Sequence, residues 1–275
     1  MQDELEGALN ALLGNHYTVD ILAEHQLLPR LAEYPLVVLP NCHRLEESFR
    51  QALVAYARNG GSLLLLGADS ARLFPDELGA KLVGEPVHVA AELTTPGGVV
   101  NQNGAWQPVE PGAAEVLARR FPTRDTRAGG EPAATLATLG KGKVAALYGP
   151  VAWNYFRTHH VMTRLLIGDI ARRLFPDPAV RVQAPSDVDI ALRRTRAGKT
   201  AVHLLNRTNM QIADRYLTTE SVPSVGPIEV RIKTAVKPRR VRWTPDGARL
   251  KWSWQDGAVT VTVPRLDIHG ILVVE

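Results

Sequence analysis

The chain has 275 residues, 45% of them hydrophobic and 22% charged, with a net charge of +4 at pH 7. This is a globular composition; it excludes a disordered or low-complexity chain, and the length suffices for two domains with cores of their own. A single cysteine, Cys42, excludes an internal disulfide and fits a reducing compartment. No apolar run is long enough to span a membrane. The acidic, helical start MQDELEGALN does not read as a signal peptide, so a cytoplasmic location is expected.

Gln2 to Leu13 reads as an amphipathic helix with Asp3 and Glu4 at its favourable end. A strand over Tyr17 to Leu22 and a short helix over Leu28 to Glu33 follow. Tyr34 to Phe74 then reads as strand, helix, strand. Leu36 to Pro40 is a short apolar run. Leu45, Phe49, Leu53 and Tyr56 recur at helical spacing, and Asn59-Gly60-Gly61 stops that helix. Ser62 to Leu66 is a second apolar strand. Two wholly apolar strands joined by an amphipathic crossover helix make a parallel pair buried on both faces. The expected fold is therefore α/β, a doubly wound, mainly parallel flavodoxin-like sheet, with sites at the carboxyl ends of its strands.

Beyond Leu73 the pattern is less regular, with a helix expected over Pro75 to Leu82 and strands near Val87 and Val99. Ala133 to Leu139 and Lys143 to Tyr148 form a hairpin around Gly140-Lys141-Gly142. Val161 to Leu174 is a strong amphipathic helix. Phe175-Pro176-Asp177-Pro178 breaks the pattern, and the boundary between a domain at 1–177 and one at 178–275 is placed there. After Val180 the period changes to two. About seven short strands, with turn signals at Arg196 to Lys199, Asp246-Gly247 and Asp256-Gly257, suggest an antiparallel β-sandwich. The basic clusters Arg193-Arg194-Thr195-Arg196 and Lys237-Pro238-Arg239-Arg240 sit at turns or strand edges. No aromatic platform alternates with them, so no nucleic-acid partner is expected.

A doubly wound domain normally opens with a strand, whereas this sequence opens on a helix. In flavodoxin-like order the missing strand would lie between the Tyr17 and Leu36 strands, exposing two edges. The expectation is that the chain belongs to a longer protein, or that another segment or chain fills the slot.

The segment YPLVVLPNCHRLEESFRQALVAYARNGGSLLLLG resembles part of the β-galactosidase trimerisation domain, which has the class I glutamine-amidotransferase-like fold. LATLGKGKVAALYGPVAWNYFRTHHVMTRLLIGDIARRL resembles the closing segment of such modules in glycoside hydrolases, and HLLNRTN with PRLDIHGILVVE resembles the β-sandwich that often ends those enzymes. In those hydrolases a preceding TIM barrel carries the two catalytic carboxylates, and this chain has no (β/α)8 run. The resemblance implies an accessory, non-catalytic C-terminal region of a glycoside hydrolase-like protein. Its partners would be copies of itself or a TIM-barrel catalytic domain, with carbohydrate as ligand and no cofactor.

Candidate site residues fall in three places. The amidotransferase nucleophile is a Cys on the turn after the strand matching Ser62 to Leu66; here Asp69 stands about there, which rules out thiol-based glutamine hydrolysis. Asp69 and Ser70 are then either catalytic groups or caps of the next helix. Cys42-His43 ends the neighbouring strand, with Asn41 beside it, but no third orienting group is evident. Trp153, Asn154, Tyr155, Arg157, His159 and His160 read as one loop, combining aromatic faces with planar polar groups. Such a loop suits a sugar or a protein interface. Two adjacent imidazoles chelate one metal poorly, so no metal is expected there. Trp243, Trp252 and Trp254 are sandwich core or a sugar platform. Two alternatives to the accessory reading stay open. One is a small stand-alone hydrolase acting on a glycoside or ester through Asp69, Ser70, Cys42 and His159. The other is a carbohydrate-binding protein.

Overall fold

A computed structural model describes residues 2–127, 129–209, 211–213, 216–245 and 247–275. The chain forms two compact units. One runs up to Ala11 and resumes over Asp20–Pro176; the other joins Leu12–Val19 to Asp177–Glu275.

In the first unit α1 (Gln2–Leu13) is followed by α2 (Glu24–Leu27) and a 3₁₀ segment, Leu28–Glu33. Then come β1 (Leu36–Pro40), α3 (Glu47–Arg58), β2 (Ser62–Leu66) and the short α4 (Ala68–Arg72). β3 (Ala80–Leu82) stands where a helix over Pro75 to Leu82 was expected; Gly79, at φ +60°, reverses the chain before a second helix can start. β4 (Val87–Thr95) and β5 (Gly98–Trp106) form a long hairpin, followed by β6 (Val109–Pro111), β7 (Glu115–Phe121), β8 (Glu131–Leu139) and β9 (Gly142–Leu147). α5 (Val151–Thr158) and α6 (Val161–Leu174) close the unit.

Among the described residues the main sheet has seven strands in the order β1-β2-β9-β8-β7-β4-β5. β1, β2 and β9 are parallel; from β8 onward every pairing is antiparallel. The fold is thus α/β on a mixed sheet, and the mainly parallel sheet expected from the sequence extends over three strands only. The physical reason is the Gly140-Lys141-Gly142 turn, which sends β9 straight back along β8 instead of through a crossover helix. Gly140, at φ +61°, leaves no room for a Cβ, which would stand 2.5 Å from the Arg58 carbonyl oxygen.

The parallel strands are buried on both faces. Leu63, Leu65, Val144, Ala146 and Tyr148 pack with Phe49, Leu53 and Ala57 of α3. On the other face Ser62 donates its hydroxyl hydrogen bond to Leu174 O (3.0 Å), and α6 packs against β2 and β9 with Leu166, Ile167 and Ile170 buried. Helices therefore cover both sides of the parallel part.

In the second unit β10 (Val180–Gln183), β15 (Ile228–Lys233), β18 (Ala258–Val263) and β17 (Trp252–Gln255) make one four-stranded antiparallel sheet. The other comprises β11 (Val188–Arg194), β12 (Thr200–Asn206), β19 (His269–Val274) and β16 (Val241–Thr244). A small hairpin, β13 (Gln211–Ala213) and β14 (Tyr216–Thr218), stands apart from both. Val188, Ile190, Val202, Leu204, Leu272 and Val274 of one sheet share a core with Ile228, Val230, Ile232, Val259, Val261 and Val263 of the other. Alternate residues face inward along each strand, as period two requires. Asp256-Gly257 forms its turn with both residues at positive φ, whereas Asp246 of the other expected turn lies outside the described residues.

The strand expected over Tyr17 to Leu22 does not form. After α1 the N–H groups of Asn15 and Tyr17 both bond to Leu12 O (3.1 and 3.0 Å), and residues 17 to 23 are irregular. Thr18 Oγ1 accepts from Leu192 N–H (3.2 Å), so the segment ties to the edge of β11 through a side chain. The gap expected between a Tyr17 strand and the Leu36 strand consequently has no counterpart. β1 is simply an outer strand of the described sheet.

Candidate functional site

The carboxyl ends of β1 and β2 lie side by side because the strands are parallel and in register from Leu36↔Ser62 to Pro40↔Leu66. This places Asn41, Cys42 and His43 against Gly67, Ala68, Asp69 and Ser70. Asn41 is left-handed at φ +48°, and its N–H extends the ladder to Leu66 O. Its side-chain oxygen accepts from Asp69 N–H (3.1 Å), while its amide donates to Glu4 Oε1 (3.4 Å). Gly67 makes this possible. Its φ is +96°, and a Cβ there would meet Asn41 Oδ1 at 2.2 Å. The expected cap of the following helix is therefore supplied from β1: Gly67 is the N-cap of α4, with no side-chain bond of its own, and neither Asp69 nor Ser70 caps.

Ser70 is fully buried. Its hydroxyl accepts from Cys42 N–H (2.8 Å) and donates to Leu39 O (2.9 Å), so it holds the end of β1 and presents no oxygen to solvent. Cys42 is half-buried against the α3 core; burial pushes its thiol pKa up, with the Ser70 hydroxyl acting weakly against this. That favours the thiol over the thiolate at neutral pH.

Asp69 does have a partner. His43 Nδ1 stands 2.8 Å from Asp69 Oδ2, with both side chains solvent-accessible. A carboxylate on Nδ1 fixes the ring and leaves Nε2 free to exchange a proton, the base-and-orienter half of a triad. The orienting group that sequence reading found missing is Asp69, contributed by the adjacent parallel strand. Strand order was the signal that could have found it. Neither Ser70 nor Cys42 is placed as a nucleophile at this pair. Ser70 is committed to backbone bonds, and Cys42 packs against the core.

Trp153 to His160 is not the expected loop. Trp153 to Thr158 belong to α5, and His159 and His160 are the joint to α6. Asn154 is buried; its amide donates to Asn103 O (3.0 Å) and Pro150 O (2.8 Å), and its oxygen accepts from Asn103 N–H (3.3 Å), clamping β5. Tyr155 is buried and meets His159 edge-on at 5.3 Å. His159, left-handed at φ +46°, ends α5, and His160 Nδ1 accepts from Met162 N–H to start α6 (3.3 Å). Arg157 lies over the Trp153 ring at 5.5 Å, so that aromatic face is already covered by a guanidinium. The residues group as a helix, its C-cap and the next N-cap, and the helical periodicity of Val151, Tyr155 and Thr158 was the signal for it.

In the second unit Trp243 is buried, and Trp252 and Trp254 pack against the sandwich core, Trp254 donating to Thr234 Oγ1 (2.9 Å). Among the described residues no cluster of three or more His, Cys, Asp or Glu side chains forms a metal site. No helix among them is long and apolar enough to cross a membrane.

No family model matches the sequence, and no curated protein sequence matches it either. Solved structures do. The α-L-fucosidase isoenzyme 2 from Paenibacillus thiaminolyticus shares the fold over 99% of this chain and 45% of its own, with TM-score 0.83 and 19% identity. A β-galactosidase from Bacillus circulans sp. alkalophilus matches 100% of this chain and 37% of its own (TM-score 0.66, 16% identity). One from the haloarchaeon Halorubrum lacusprofundi matches 99% and 35% (TM-score 0.58, 17% identity). The chain thus spans less than half the length of the glycoside hydrolases whose fold it shares.

Proposed function

We propose that this chain is a non-catalytic portion of a glycosidase-like protein. In this reading it assembles with copies of itself or with a TIM-barrel catalytic domain, and the β1–β2 edge forms one wall of a sugar site. The observation that carries the reading is the coverage: practically the whole chain matches, but only as 35–45% of glycoside hydrolase chains. The site geometry supports it. His43 and Asp69 offer a polar edge able to accept and donate protons or hydrogen bonds to hydroxyls, with Ser70 committed to backbone bonds and Cys42 packed against the core. The finer likeness to the β-galactosidase trimerisation domain belongs to the same proposal.

The test is turnover of chromogenic glycosides and esters by the purified chain, with its mass in solution measured by light scattering. The reading expects no turnover, together with a stable oligomer or capture of a barrel-bearing chain. Turnover that disappears in Asp69→Asn would overturn it in favour of a small hydrolase. The His43–Asp69 pair is the observation that favours that second reading.

A further inference from the structure

In the sheet formed by β11, β12, β19 and β16, Ile190, Val202, Leu204 and Leu272 face the sandwich core. Strand alternation turns Asp189, His203, Leu205 and His269 to the opposite face. Register sets Asp189, Leu205 and His269 level across three strands, with His203 two residues along β12. Leu13, Val19 and Ala191 join them around a groove of about 540 Å³. Its polar groups are Asp189, Arg193, His203 and His269.

The two imidazoles stand close. His203 Nδ1 is 3.2 Å from His269 Nε2, and the rings lie at 22° to one another. Two nitrogens bound to one tetrahedral Zn²⁺, each at about 2.0–2.1 Å, are roughly 3.3 Å apart. The contact is an N–H···N hydrogen bond whose donor depends on the tautomer, at a spacing close to that of a chelate. His269 is exposed. Asp189 does not compete, because Arg207 occupies both of its oxygens (2.6 and 2.9 Å). Arg193 opposes a hard cation held by charge alone, which leaves ions whose binding to nitrogen is mainly coordinate.

We infer that His203 and His269 form a two-imidazole site for a borderline divalent transition ion such as Zn²⁺ or Cu²⁺, with water completing the coordination. This site is independent of the β1–β2 edge and of the glycosidase reading.

The test titrates the full chain with Cu²⁺ and with Zn²⁺ by calorimetry, and records the electron paramagnetic resonance spectrum of the Cu²⁺ form. One equivalent is expected, with two-nitrogen hyperfine structure and Cu²⁺ bound more tightly than Zn²⁺. His203→Gln and His269→Gln each weaken binding at least about tenfold. In parallel, Zn²⁺ should protect His203 and His269 of the unaltered chain from diethylpyrocarbonate, read by mass spectrometry, which serves where a variant fails to fold. Absence of submillimolar binding, variants that bind as tightly as the unaltered chain, or protection confined to other histidines such as His159 and His160 would each overturn the inference.

Discussion

Replacing Ser70 by alanine separates a structural hydroxyl from a catalytic one. The side chain is fully buried and bridges Cys42 N–H at 2.8 Å and Leu39 O at 2.9 Å, where β1 gives way to the loop carrying His43. Ser70→Ala leaves a backbone donor and a backbone acceptor without their partner. Each such group costs about 1–3 kcal/mol when buried. Cys42 is only half-buried, so the lower half of the range applies to its N–H, and the expected loss is about 2–5 kcal/mol. In a domain of this size that corresponds to a fall of about 4–20 °C in the melting temperature. Urea unfolding followed by circular dichroism measures it, with an unchanged slope showing that the denatured state is unaltered. A loss below about 0.5 kcal/mol would refute the reasoning, since it would mean that neither backbone group depended on the hydroxyl. A stable Ser70→Ala that abolished an activity of the parent would refute it more directly.

Three further outcomes follow from the same coordinates. Glu77 is buried with Oε2 lacking a partner, and burial, only partly offset by Arg50, raises its pKa. The folded state therefore holds this proton longer than the unfolded one, and stability falls as pH rises from the ordinary carboxylate range through the raised value. Glu77→Gln should accordingly stabilise the chain at pH 7 and lose that advantage at pH 4; an equal gain at both would contradict the assignment. Asn154→Ala should cost about 2–4 kcal/mol by releasing the Asn103 and Pro150 backbone groups. Asn154→Asp should be worse, because a carboxylate would face two carbonyl oxygens, and urea midpoints ranking the two in reverse would sink the clamp. Cys42 should be alkylated by iodoacetamide with an apparent pKa above the usual thiol value, since burial is its main perturbation. A midpoint below that value would indicate a reactive thiolate.

The legible parts of the fold were those fixed by local pattern. Ser62 to Leu66 reads as a strand buried on both faces because every residue is apolar or small, and all five are buried. Val161 to Leu174 reads as a helix from its period, and its bounds are those observed. The direction of the sheet beyond β9 was not legible. A glycine turn reveals a hairpin, but not that this hairpin joins the parallel strands and reverses the rest. Tyr17 to Leu22 has the alternation of a strand, yet it stays irregular in the structure, and the tie from Thr18 to Leu192 is a contact across 174 residues. At the site the sequence pointed to Asn41, Cys42, Asp69 and Ser70 from strand order. It could not divide them into working and structural groups, because that depends on which atoms face the backbone. The hydroxyl and the amide turned inward; His43 and Asp69 turned out.

The limited extent of the parallel sheet bears on what the edge can do. Loops at strand carboxyl ends gather at one edge only while neighbouring strands run the same way. Here that holds for β1, β2 and β9, whereas β8, antiparallel to β9, carries its own end to the opposite side. The third contributing loop, after β9, is Tyr148 to Pro150. Its tyrosine hydroxyl is buried against Thr135 (2.6 Å), and Gly149 leaves no room for a Cβ, which would stand 2.3 Å from the Trp106 ring. The ends of β1 and β2 supply an imidazole and a carboxylate, His43 and Asp69, with the Asn41 amide bonded to Glu4 beside them. Glycoside hydrolysis needs two carboxyl groups on either side of the scissile bond, about 5–10 Å apart. Asp69, the carboxylate paired with His43 at this edge, is equipped to hold a hydroxyl or move a proton, which is the role proposed for this chain.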